Sequence, residues 1–214
     1  ASGQGGAVAP FDSTLIPNSV WLDGSADCLT KSISSGAAQS RLIISTWVQR
    51  TEFSSTAEYA IVTSIGGQLS NRANRLKFQD DGLTVHLEST AGATSIYQTS
   101  ALYRDIGWYH VLLSIDGNVD SVLLYVNGVI QNTSITTGSA FTGSIASFGH
   151  GGATTMIGKY NNTVSDFYFL PGYLAQTAMI VGQSIQNGDV AVSDFLDTFT
   201  FGTNGSQIIP KKNS

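Results

Sequence analysis

Apolar positions along the chain come in short runs separated by Gly, Asn, Asp and Ser. The runs are Ser19 to Leu22, Leu42 to Val48, Tyr59 to Ile65, Arg75 to Phe78, Leu83 to Glu88, Ser95 to Tyr97, Trp108 to Ile115, Ser121 to Val126, Thr155 to Ile157, Asp166 to Leu170 and Tyr173 to Val181. Many short runs with turn residues between them predict strands of a β-sandwich or barrel. Leu83, Val85 and Leu87 alternate with Thr84, His86 and Glu88, the period of a strand with one buried and one wet face. The run from Trp108 to Ile115 is apolar on both faces and is expected at the centre of a sheet, with Trp47 and Trp108 in the core. Asp81-Gly82, Asp116-Gly117-Asn118 and Asn127-Gly128 have the residue types that tolerate positive φ, so each predicts a hairpin turn. The one helical piece expected is a turn or two near Ser193-Asp194-Phe195, with Ser or Asp as N-cap.

The ends differ from the middle. Residues 1–10 are rich in Gly and Ala, end at Pro10 and read as a flexible arm. The sandwich is expected over 11–192. Residues 193–214 carry Phe195, Phe199, Phe201, Ile208 and Ile209, more apolar surface than a free tail exposes, so this segment is expected to pack on the sandwich.

Composition narrows the picture. The 214 residues are 42% hydrophobic but only 12% charged, with 23 glycines, against about 25% charged in an average domain. The surface must therefore be built from Ser, Thr, Asn, Gln and Gly, as in a many-turned β protein. A net charge of -5 with no basic run disfavours a nucleic-acid partner. No apolar run reaches the ~20 residues of a membrane-spanning helix, and the N-terminal stretch lacks the basic and apolar regions of a leader. The single cysteine, Cys28, excludes an intrachain disulfide framework and is expected to be a buried, inert thiol.

Few residues point to catalysis or metal binding. A glycosidase needs two carboxylates ~5–10 Å apart, yet the glutamates are Glu52, Glu58 and Glu88, and no strand carries acids at i and i+2. Asp80 and Asp81 read as turn formers. His86, His110 and His150 have no zinc-motif spacing; His110 reads as a satisfied sheet residue. Gly149-His-Gly-Gly152 lacks the Lys-Ser or Lys-Thr of a phosphate loop. Asp23, Asp27, Asp105, Asp116 and Asp120 are the oxygen donors available for calcium, but scattered aspartates more often cap turns. No catalytic residue, metal or cofactor is expected. Sugar binding needs rings that stack on apolar sugar faces and amides that bond hydroxyls, and Tyr59, Tyr103, His150, Tyr160, Asn161 and Asn162 are the candidate contacts.

The ordered strings Ser19-Val-Trp-Leu-Asp-Gly-Ser-Ala-Asp-Cys-Leu29, Ile43-Ile-Ser-Thr-Trp-Val-Gln-Arg50, Trp108-Tyr-His-Val-Leu-Leu-Ser-Ile-Asp116, Leu124-Tyr-Val-Asn-Gly-Val129, Met156-Ile-Gly158 and Gly172-Tyr-Leu-Ala-Gln176 resemble the concanavalin A-like lectin/glucanase superfamily. They are most similar to its laminin-G-like and pentraxin-like jelly rolls. With Ser193-Asp-Phe195 and Ile209-Pro-Lys-Lys212, the chain also looks like such domains in virion proteins of marine bacteriophages. The resemblance implies an all-β, two-sheet antiparallel jelly-roll sandwich. It also implies a non-enzymatic virion structural protein (head decoration, fibre or tail accessory) assembled in the bacterial host cytoplasm. Its implied partners are other virion proteins, its own copies in a homo-oligomer, and a host surface glycan. Two alternatives stay open: a polysaccharide-cleaving hydrolase or lyase, and an extracellular adhesion module, to which the Asn-x-Ser/Thr sites at Asn132, Asn161 and Asn204 would suit glycosylation. The Glu-x-Asp-x-x-Glu signature of the glucanases is missing, and Gln176 stands where the phage-like group has Glu.

Overall fold

The computed structural model describes residues 18–54, 57–67, 73–162, 166–200 and 206–210; the expected arm at 1–10 lies outside them. Among the described residues seventeen strands follow in chain order: β1 (Val20–Asp23), β2 (Leu29–Ser32), β3 (Arg41–Arg50), β4 (Glu58–Gly66), β5 (Ala73–Gln79), β6 (Gly82–Glu88), β7 (Thr94–Thr99), β8 (Tyr109–Asp116), β9 (Ser121–Val126), β10 (Val129–Ile130), β11 (Thr133–Thr137), β12 (Ala153–Ile157), β13 (Lys159–Asn162), β14 (Asp166–Phe169), β15 (Pro171–Val181), β16 (Leu196–Thr200) and β17 (Ser206–Pro210). One sheet runs β1-β15-β3-β8-β9-β10 and the other β11-β7-β6-β5-β4-β12-β2, with β13–β14 and β16–β17 as separate two-stranded ribbons. Every pairing is antiparallel, and a single turn, Val192–Asp194, is the described helical element. This is the two-sheet antiparallel sandwich the sequence predicts.

The sheets face each other through alternate residues. Leu42, Ile44 and Val48 of β3 and Val111, Leu113 and Ile115 of β8 form one cluster with Leu76, Phe78, Leu83, Val85 and Leu87 of β5 and β6. Each such side chain contributes about 1.5–3 kcal/mol by leaving water. β8 is buried at every residue and lies between β3 and β9, the central position its two apolar faces predict.

Four expectations are corrected. The β5–β6 turn consists of Asp80 and Asp81, with φ of 52° and 62°, while Gly82 already pairs with Gln79; the turn is one residue earlier than Asp81-Gly82. Asn127 and Gly128, with φ of 53° and 77°, form the two-residue turn their sequence predicts. Secondly, Thr84 and Glu88 are buried rather than wet, on the outer face of a sheet against which the β13–β14 ribbon lies at β4. Thirdly, the 192–194 turn begins at Ala191, whose N–H donates to the Asp194 carboxylate at 2.8 Å, so Asp194 reaches backwards instead of acting as the N-cap. Cys28 is half-buried, not buried.

Of the C-terminal segment, Leu196 is buried and its methyls lie beside Gly128. Just upstream of it, Gln186 and Ile185 bond Ser114 on the outer face of β8.

Candidate functional site

The outer face of the six-stranded sheet carries a row of rings that crosses the strands. Leu22, Leu174 and Val48 point into the core, so their neighbours Trp21, Tyr173 and Gln49 point outward. Trp21 pairs with Tyr173, and Tyr173 with Gln49; because Val48 pairs with Tyr109, Trp108 continues the row. Three inter-strand steps make it about 14 Å long. Trp21 is 56% exposed on the edge strand. Trp108 and Tyr173 are half-buried, their ring centroids 6.4 Å apart and tilted by 51°. Between them the Gln49 side-chain N–H donates to the Ile106 carbonyl at 2.6 Å.

Two local features hold this row. Gly172, at φ +152°, sits where a Cβ would lie 2.0 Å from the Gln49 carbonyl oxygen, so only glycine lets β15 close on β3 next to Tyr173. One rung along the same face, the buried pair Trp47 and Ala175 packs against Trp108. A cavity of about 270 Å³ flanks it at the seam of β1 and β2; it is lined by Asn18, Ser19, Leu22, Ile157, Leu174 and Gln176 among others, none of them titratable.

The residues nominated from sequence are elsewhere. Tyr59 and Tyr103 are 9% and 6% exposed and belong to the core around Arg50, not to the rim. The Arg50 guanidinium lies 5.8 Å from the Tyr59 ring and donates to the Tyr103 carbonyl. Burial pushes the Tyr103 phenol up to about 12, and its hydroxyl bonds Gln131 at 2.9 Å. Tyr160 is buried between the Arg75 guanidinium, 3.9 Å from its centroid, and Tyr168, stacked at 5.8 Å. His150 is half-buried with Nδ1 2.6 Å from the Gly151 carbonyl. Asn161 and Asn162 pair in β13 with Phe167 and Asp166, and their side chains lie outside what is described. The structure thus brings none of these rings together on an open surface, and the exposed row was missed. A signal for it existed: Trp21 between Val20 and Leu22 has the period of a ring on the outer face of a strand whose Leu22 faces in.

Acidic groups act as caps and anchors. The Ala26 N–H and then the Ser25 hydroxyl, with the Ser25 and Asp27 N–H groups, hold the Asp23 carboxyl well below the usual carboxylate range. Burial alone would raise Asp116, but the Ser184 hydroxyl, the Asn118 N–H and Arg41 at 3.0 Å outweigh it and lower it. Among the described residues no three His, Cys, Asp or Glu side chains converge as a metal site would require.

His110 is fully buried, with Nε2 2.9 Å from the Ser45 hydroxyl and its ring 5.2 Å from that of Trp47. Burial pushes it down to about 4. The unfolded chain takes up this proton near pH 6.5 and the folded chain only near pH 4, so protonation favours unfolding. Folding stability is expected to fall by up to about 3 kcal/mol as pH drops from above 6.5 to 4, and His110→Leu should flatten that slope. Urea midpoints across this range check it; equal slopes would overturn the assignment.

The class the strand order defines is a two-sheet antiparallel jelly-roll sandwich. Residues 23–179 match a laminin G-type family model described as "Concanavalin A-like lectin/glucanases superfamily", and the chain belongs to that superfamily. The solved structures it resembles include a heptameric SAP-like pentraxin from Limulus polyphemus (16% identity, TM-score 0.53, 75% of this chain and 74% of that one). Others are laminin alpha1 domains LG4-5 from mouse (13%, 0.56, 78% and 42%) and the receptor binding domain of a botulinum neurotoxin C/D mosaic serotype (14%, 0.54, 83% and 41%). The chain spans about two fifths of the last two. No curated protein matches the sequence.

Proposed function

We propose that this chain is a non-enzymatic binding protein whose sandwich engages a surface glycan, and that it serves as a structural component of a bacteriophage particle. The observation that carries the binding half is the row Trp21, Tyr173, Gln49 and Trp108. An exposed ring beside two half-buried ones on the outer sheet face offers apolar surface to the C–H faces of sugars, and an amide among them bonds hydroxyls. Two of the three glutamates, Glu58 and Glu88, do not form a hydrolase pair. Glu58 pairs with Gln79 at one end of β5, and Glu88 accepts from the Ala73 N–H at the other, which separates them by about 20 Å of strand. A hydrolase pair needs about 5–10 Å. The particle half rests on the sequence resemblance and on a weakly charged Ser/Thr/Asn surface suited to many low-affinity contacts between copies.

A glycan array probed with the purified protein tests the first half, and silence on every glycan would remove it. Immunogold labelling of purified particles tests the second; label on intact particles supports it and unlabelled particles overturn it.

A further inference from the structure

The aromatic row is flanked along one edge by acidic residues. Asp23 lies one two-residue repeat beyond Trp21 on the same face of β1, and Asp27 is tied to it through its N–H at 3.2 Å. Pro171, the partner of Asp23, accepts from the Thr51 N–H at 3.0 Å, which brings Glu52 to the same end of the sheet. Asp105 precedes Ile106, whose carbonyl receives Gln49. All four acids are exposed. Arg104, the cation of the same loop, is committed to Asp81 at 2.8 Å, and Arg50 is buried.

An incoming anion therefore meets like charge along that edge, on a chain that already carries -5, and the two described arginines at the same end, Arg50 and Arg104, are already paired with Asp81. The groups the row does present, indole and phenol faces with the Gln49 amide, recognise uncharged surface. The length of the row, about 14 Å, suits several sugars side by side rather than one terminal ring. We infer that the row binds an uncharged stretch of oligosaccharide along its length and rejects glycans bearing uronate, sialic acid or sulfate. This rests on the glycan-binding reading above and adds the place and charge class of the ligand.

The experiment titrates the full chain, by tryptophan fluorescence and calorimetry, with neutral tetrasaccharides of hexose and N-acetylhexosamine and with tetrasaccharides carrying uronate, sialic acid or sulfate. At low salt the tightest neutral probe should bind at least about tenfold better than any anionic one. The gap should narrow as salt rises, because exposed charges are screened beyond about 10 Å at 0.1 M salt. Trp21→Ala, on an exposed edge position, should weaken neutral binding about tenfold with an unchanged thermal midpoint, and Trp21→Phe should restore part of it. Glu52→Gln with Asp105→Asn should raise anionic binding selectively. Equal or tighter binding of anionic probes, or neutral binding indifferent to Trp21→Ala, overturns the inference while leaving glycan binding in place. Failure of every probe removes the glycan-binding reading and the inference together.

Discussion

Arg50→Ala is expected to cost about 3–5 kcal/mol of folding stability, because it opens a cavity among packed rings, takes a donor from the Tyr103 carbonyl and leaves the buried Asp81 carboxylate opposed by the largely exposed Arg104 in place of a buried partner. The guanidinium is buried among rings, 4.1 Å from the Phe78 centroid and 4.7 Å from that of Phe53. Its Nη1 reaches the Asp81 carboxylate at 3.3 Å and its Nη2 donates to the Tyr103 carbonyl. Burial pulls the Arg50 pKa down while Asp81 pulls it back up, and arginine stays charged under both influences. One side chain thus ties the end of β3 to the β5–β6 turn and to the loop that follows β7. Arg50→Lys should rescue little, since a point charge cannot serve a carboxylate, a carbonyl and three ring faces at once. Arg50→Met combined with Asp81→Asn should recover much of the loss, because asparagine tolerates the φ of 62° at that position, no buried charge is left, and the Arg104 that loses its carboxylate is exposed to water. Urea unfolding decides this; a midpoint unchanged in Arg50→Ala would show that the cluster contributes nothing to the fold.

Trp47→Ala should cost a similar amount, about 3–5 kcal/mol, as truncation of a large aromatic at a packed site does. Trp47 is 2% exposed although it points away from the inter-sheet core. It lies against His110, Ala175 and Trp108 in a second, smaller cluster, so its loss opens a cavity between the sheet and what covers it. Trp108 is a different case. Half-exposed at the start of β8, it should lose about 1–2 kcal/mol on truncation, so the equal standing of the two tryptophans in the sequence is not kept in the fold. Calorimetric midpoints that rank Trp108→Ala as the more damaging would show that the outer face is packed differently.

The positions of the apolar strands are legible because side-chain period and turn chemistry are local. The Leu83-Val85-Leu87 alternation and Asn127-Gly128 each name their own conformation without help from the rest of the chain. Short polar strands were not legible: Leu29–Ser32 and Thr133–Thr137 carry little apolar period, and edge pairing with β12 and β7 makes them strands. The candidate site was hidden for a related reason. Tyr59 and Tyr103 look in sequence like any ring beside a turn, and the buried arginine that draws them inward is 9 and 53 residues away from them.

By itself, then, the sequence determined that this chain is an all-β sandwich with β8 central, since a both-faced apolar run can be satisfied only between two strands and two covered faces. Tertiary structure alone decided which rings see solvent. Trp21, Gln49 and Tyr173 come from three strands and Trp108 from the residue just before β8, all widely separated along the chain, and only the order β1-β15-β3-β8 sets them in one row. The physical reason is that strand period states which side of its own strand a residue occupies, whereas the neighbour on that side, and whether a loop or ribbon covers it, depends on non-local hydrogen-bond pairing that no single run encodes.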